Sequence, residues 1–171
     1  MSLTFDKLQS ILKESGIRFL LAPDQPMLAF GMMTESGRHV LVHCFLEIEG
    51  TLLQLRTNGY YLCATDSPHR PAVMELINEL NHRLRLVKFT MDPVDGELTA
   101  FSDLAILDSE PTGSQILGLI GFFMDRLRDC SDRIEQTIRT GVDPGDGNPF
   151  GTADDDDDGG EGGDEGDDII R

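Results

Sequence analysis

Val73-Met-Glu-Leu-Ile-Asn-Glu-Leu-Asn-His-Arg-Leu-Arg85, Val87-Lys-Phe-Thr-Met91, Asp92-Pro-Val-Asp-Gly96 and the apolar run through Arg139 decide the fold. Val73, Ile77, Leu80 and Leu84 recur at i, i+4, i+7 and i+11, which predicts a helix ending near Arg85. Glu79 and Arg83 add an i,i+4 pair on its outer side. Val87, Phe89 and Met91 then alternate with Lys88 and Thr90, the period of a strand. Pro93 and Asp95-Gly96 turn the chain back into a second strand, Glu97 to Leu107. Thr112-Gly-Ser-Gln115 is a capping box. It opens a long helix whose stripe is Leu119, Phe123, Leu127, Cys130, Ile134 and Ile138, with Asp129/Arg133 and Glu135/Arg139 expected on the opposite face.

Upstream, Phe5, Leu8 and Ile11/Leu12 fall at helical spacing between Thr4 and Ser15, and Gly16 is placed as the stop. Ile17 to Ala22 is a strand candidate closed by Pro23-Asp-Gln-Pro26. Met27 to Thr34 is the next, followed by a hairpin loop at Glu35-Ser-Gly37. The clearest alternation comes third: Val40, Val42, Cys44, Leu46 and Ile48 on one face, His43, Glu47 and Glu49 on the other. Gly50 turns into a strand from Leu52 to Thr57, and Tyr60 to Ala64 reads as an irregular apolar piece. Ser67-Pro68 fits an N-cap and first helical residue.

The order α-β-β-β-β-α-β-β-α, with short links and hairpin signals, predicts an α+β fold: an antiparallel sheet with helices packed against it. At 171 residues one domain is expected. It should span 1–140. The segment 141–171 holds ten Asp and two Glu against one Arg, and its low hydrophobicity predicts a disordered acidic tail. Of the total net charge of −17, the tail carries −11, so residues 1–140 are only mildly acidic.

That balance, with no Trp and two Tyr, weighs against nucleic-acid binding. Three scattered cysteines without a Cys-x-x-Cys fit neither a disulfide framework nor a zinc site. No leader-like N-terminus or run of about 20 apolar residues is visible, so a soluble cytoplasmic protein without a membrane partner is expected.

Leu80-Asn-His-Arg-Leu-Arg85, the Lys88-Phe89 strand, the turn Asp92-Pro-Val-Asp-Gly96 and the strand ending Asp103-Leu-Ala-Ile106, with the long helix at the expected distance, resemble the YbjN-like family of bacterial sensory transduction regulators. The resemblance covers about 135 residues and leaves out the acidic tail. It implies a fold like that of type III secretion chaperones, small α+β proteins that often dimerise and hold partner segments in extended form. It implies no reaction.

Five residues are candidates for a partner or dimer surface. Leu117, Phe122 and Met124 exceed what one core stripe needs on the last helix, so they suit either a second contact surface or burial between sheet and helices. Asn78 and Asn81 share a face of the preceding helix. They either present amides to a partner or satisfy the adjacent strand or hairpin turn. Met27, Phe30, Met32 and Met33 crowd one strand as an adaptable surface or as core. His39 and His43 face one way on their strand, too few to make a zinc site. Asp154, Asp156, Asp158, Gly159 and Glu165 match the EF-hand spacing, but their Gly-rich flanks cannot supply its helices.

Glu47 and Glu49 are an ordinary solvated pair, and no nucleophile triad, phosphate loop or cofactor fingerprint is present. No catalytic residue, metal or cofactor is therefore expected. The sequence predicts a non-catalytic protein-interaction module binding a partner protein or a second copy of itself. The alternative is a small-molecule-sensing or enzymatic domain with a pocket between sheet and helices.

Overall fold

The computed structural model describes residues 2–22, 25–34 and 36–145. The first helix, α1, runs Phe5–Glu14; the Thr4 side chain caps it by accepting from the Lys7 N–H. The chain then makes β1 (Leu20–Leu21), β2 (Met27–Met33), β3 (His39–Glu47), a 3-10 turn at Ile48–Gly50, β4 (Leu52–Asn58) and β5 (Tyr61–Leu62). Helix α2 is Arg70–Arg83; β6 (Lys88–Met91), β7 (Glu97–Ala105) and α3 (Gly113–Thr140) follow. The fold is α+β, three helices and one antiparallel seven-stranded sheet.

The sheet runs β1-β2-β3-β4-β7, with β6 on the far edge of β7. Strands β4 and β5 share one edge of β7: β4 pairs with Phe101 to Ala105, β5 with Glu97 and Leu98. Between them the ladder is broken, and Thr57 fills the gap. Its Oγ1 accepts from the Ala100 N–H at 2.8 Å and donates to the Ala100 carbonyl. A side chain here replaces a strand partner, so the buried Ala100 peptide stays satisfied.

One core joins the helices to one face of the sheet. Leu28, Phe30, Val40, Val42, Cys44, Leu53, Leu55, Phe89, Leu98 and Ala100 alternate inward to meet Leu8 and Leu12 of α1, Val73, Leu76 and Leu80 of α2, and Phe123, Leu127 and Ile134 of α3. Burying each Leu or Phe contributes roughly 1.5–3 kcal/mol. Tyr60 and Tyr61 tie the sheet to α3: the Tyr60 hydroxyl donates to the Leu127 carbonyl, and that of Tyr61 lies 2.6 Å from Ser131 Oγ. The capping box at Thr112 and Gln115 forms as the sequence predicts.

Several expectations need correction. Of the predicted Ile17–Ala22 strand, Leu20–Leu21 forms the ladder with β2 and the Ala22 N–H extends it to the Met27 carbonyl, while the Ile17 N–H turns back to the Leu12 carbonyl at the end of α1. Tyr61–Leu62 is a short strand of its own, held by β7 across a gap of about 35 residues. Ile48 leaves the β3 face. The 3-10 turn takes it and Glu49 to positive φ, so Ile48 is exposed and Glu49 is not on the strand with Glu47. The turn brings Gly50 against the N-terminal segment, where the Leu3 N–H bonds to the Gly50 carbonyl.

Helix α2 begins at Arg70, with Pro71 in its first turn. Ser67 acts one step earlier, accepting from the His69 N–H, and Pro68 belongs to that turn. Of the methionine strand, Phe30 and Met32 are core and Met33 is exposed. Pro23, Asp24 and Glu35 of the two predicted loops lie outside the described residues, as does the EF-hand-like stretch.

Arg133 is the largest departure. The helical wheel put it outside with Asp129, yet it is 8 % exposed. Its Nε and Nη2 donate to the two Asp143 carboxylate oxygens at 2.7 and 2.6 Å, and Nη2 also reaches Glu79 at 3.1 Å. Asp129 pairs with Arg126 instead. The Asp143 pair holds the Arg133 charge firmly on and keeps the Asp143 carboxyl below the usual carboxylate range. The first residues of the acidic segment thus touch the domain, and Gly141, at φ 72°, packs where a side chain would collide with the His69 ring.

Candidate functional site

Helix α2 lies beside β6, the outer strand, and the two leave a groove of about 350 Å³. Its lining comes from one side of α2 (Arg70, Met74, Ile77, Asn78 and Asn81) and from Phe89 to Met91 and Pro93. This placement follows from sequence. Val73, Leu76, Ile77 and Leu80 turn α2 onto the core, and the neighbouring positions 74, 78 and 81 then face the sheet edge.

Asn81 binds the edge itself. Its Oδ1 accepts from the Phe89 N–H at 2.8 Å and its Nδ2 donates to the Phe89 carbonyl at 2.8 Å. An edge strand exposes such groups for pairing with another chain, and this amide covers one peptide of it. Asn78, three residues earlier, is exposed at the groove. Met74 is 56 % exposed, an apolar side chain held in water at the groove rim. Arg70 is engaged within the fold, donating to the carbonyls of Cys63 and Asp92. Lys88 reaches the end of α2, donating to the Asn81 and Leu84 carbonyls.

The other three predicted residues lie on α3, away from this groove. Leu117 and Met124 are half-buried and pack against the core. Phe122 stands at 36 % exposure, with the Arg126 guanidinium 5.4 Å from its ring centre. The five candidates therefore divide between two surfaces. Sequence reasoning missed Met74 and the groove it borders; the signal was an apolar residue one position off the α2 stripe.

Among the described residues no three His, Cys, Asp or Glu side chains cluster to hold a metal. All three cysteines are buried, and burial pushes the Cys44 thiol up to about 12. His43 is held below the ordinary imidazole range by partial burial and by the Arg56 charge. No helix among the described residues is long and apolar enough to cross a membrane.

The architecture is similar to that of type III secretion chaperones. The structure is similar to a chain of the ExsC-ExsE complex, with a TM-score of 0.51 and 15 % identity, covering 78 % of this chain and 97 % of that one. It is also similar to a chain of the HopA1-SchA chaperone-effector complex, with a TM-score of 0.50 and 10 % identity over 75 % and 94 %. A crystal structure described as "YbjN, a putative transcription regulator from E. coli" aligns with a TM-score of 0.55 and 13 % identity over 74 % and 86 %. The chain belongs to the YbjN family, described as "Putative bacterial sensory transduction regulator", whose profile matches residues 4–136. No curated protein matches the sequence.

Proposed function

We propose that this protein is a non-catalytic interaction module that holds a segment of a partner protein in the groove between α2 and β6. The observation that carries the reading is the groove itself: an apolar trough with Met74, Ile77, Phe89 and Met91, rimmed by the exposed Asn78, at the edge of a sheet. An extended segment fits such a place by laying apolar side chains in the trough and hydrogen-bonding its backbone to rim amides. Two of the similar folds come from complexes with a protein partner, which supports the same reading. The solvent-facing Phe122 on α3 offers a second contact, to the partner or to another copy of the chain. A small-molecule or enzymatic site would need several convergent polar groups in the trough. Its one cation, Arg70, is instead committed to backbone carbonyls.

The test is retention of protein partners by the full chain and by its Met74→Asp variant, at moderate salt and matched melting temperature. Proteins held by the wild type and lost with Met74→Asp support the groove. The same set retained by both overturns it.

A further inference from the structure

Among the described residues the sheet's other face carries no helix; of the two cations in its central row, Lys88 is turned to the Asn81 and Leu84 carbonyls, and Arg56 is not. Arg56 of β4 pairs in register with His43 on one side and Phe101 on the other. Among the described residues it has no ion-pair partner. Asp103, in the next row, is taken by Gln54, whose Nε2 donates to Asp103 Oδ1 at 2.8 Å. Around Arg56 the surface sinks into a depression of about 280 Å³ lined by Gln54, Arg56, Thr90, Thr99 and Phe101. It offers a guanidinium, two hydroxyl-bearing threonines and an aromatic side.

Thr90 lines both this depression and the α2–β6 groove. The two hollows therefore flank the outer strand at Thr90. A chain lying in the groove and crossing β6 at Thr90 arrives at Arg56.

We propose that the Arg56 depression is a recognition subsite for a carboxylate on an extended partner segment, with an apolar neighbour of that carboxylate lying on Phe101. The proposal rests on the groove reading above and adds the chemistry the partner must carry. A guanidinium presents paired N–H donors that match a carboxylate's two oxygens, which is why an arginine without an acid favours that ligand. Partial burial, and then the Arg56 charge, hold the neighbouring His43 imidazole below its ordinary range. The global field argues the other way: at net −17 the protein repels an acidic segment at long range. A preference for a carboxylate must then come from a local contact.

The experiment is titration of the full chain with two labelled peptides, Ser-Leu-Thr-Asp-Phe-Thr-Leu-Ser and its twin with Asn for Asp. The expected result is about tenfold tighter binding of the Asp peptide, equivalent to about 1.4 kcal/mol. Arg56→Gln should shrink the preference to about twofold or less without moving the melting temperature. Equal affinities, a preference that survives Arg56→Gln, or no binding of either peptide overturns the proposal. Met74→Asp separates the two readings. If it weakens both peptides alike, the groove is used. If it changes nothing while the Arg56-dependent preference stays, the groove reading fails and the carboxylate subsite stands. Neutralising Asp154 to Asp158 to Asn in the full chain reports the remaining occupant. Tighter binding of the Asp peptide by that variant that disappears when Arg56→Gln is added would assign the depression to the chain's own acidic run and overturn the partner assignment; tightening that survives Arg56→Gln reports the weaker field and leaves the partner assignment standing.

Discussion

Asn81 shows how one side chain decides between two roles. Its amide takes both hydrogen-bonding groups of the Phe89 peptide, so it belongs to the fold before it belongs to any partner. Asn81→Ala leaves the N–H and carbonyl of the buried Phe89, on the edge strand, without their amide partner. It should destabilise by about 1–3 kcal/mol, read by denaturant titration. Asp143 is a second case. Its carboxyl is held low by Arg133, so its contribution to stability is full above the unfolded carboxylate pKa, near 3.9, and is lost as the pH falls through the lowered folded value. Wild type should therefore lose stability below about pH 4 more steeply than Asp143→Asn, which lacks that component from the start. Melting curves between neutral and acid pH check the sign. Gly96 is the third. At φ 83° its Cα faces the Cys63 carbonyl with no room for a methyl group, so Gly96→Ala should open the β6–β7 turn and lower the melting temperature.

Among the elements, α3 carries the clearest division of labour. Its inner side, Phe123, Leu127 and Ile134, is fully buried, while Phe122 stands outside with Arg126 on its ring. Phe122→Asp should leave the fold within about 0.5 kcal/mol of wild type, as a surface change does. It should also abolish self-association or partner binding if α3 is a contact surface. Unchanged mass by light scattering and unchanged retention of partners would remove α3 from the interface. The helix and hairpin signals of this half were legible because they are local. The stripe at Val73 to Leu84, the Asp95-Gly96 turn and the Thr112–Gln115 box each reach no further than a turn or two of chain. The pairing of β5 with β7, the filling role of Thr57 and the Arg56–Phe101 row were not legible. Each depends on register between residues about 35 to 45 apart, and alternation on either strand alone does not fix it.

For the whole molecule, contacts of the helical part continue past the end of α3. Arg133 is closed in by Asp143, which sits in the acidic segment, and His69 bonds to the Ile138 carbonyl beneath it. A chain ending at Thr140 takes the Asp143 carboxylate away from a nearly buried guanidinium. It should melt below a chain ending at Gly145, by about 1–2 kcal/mol in stability. Calorimetry of the two checks this, and equal melting would make the Asp143 pair marginal.

What this chain's sequence determined by itself is the three helices, the longer strands and the apolar stripes that line their inner faces; β5, the turn at Ile48 and the burial of Arg133 lay beyond it. The helices, longer strands and stripes follow from periodicity, capping and turn chemistry, which act over a few residues. The resemblance in Leu80 to Ile106 pointed to the family that the profile over 4–136 then established. The tertiary structure decided the rest. It moved Arg133 inward, set Asn81 on the strand edge, left Met74 and Phe122 in water on separate surfaces, and placed Arg56 beside Phe101 with no acid to meet it among the described residues. These outcomes depend on which distant elements come to lie side by side, and no local pattern encodes that.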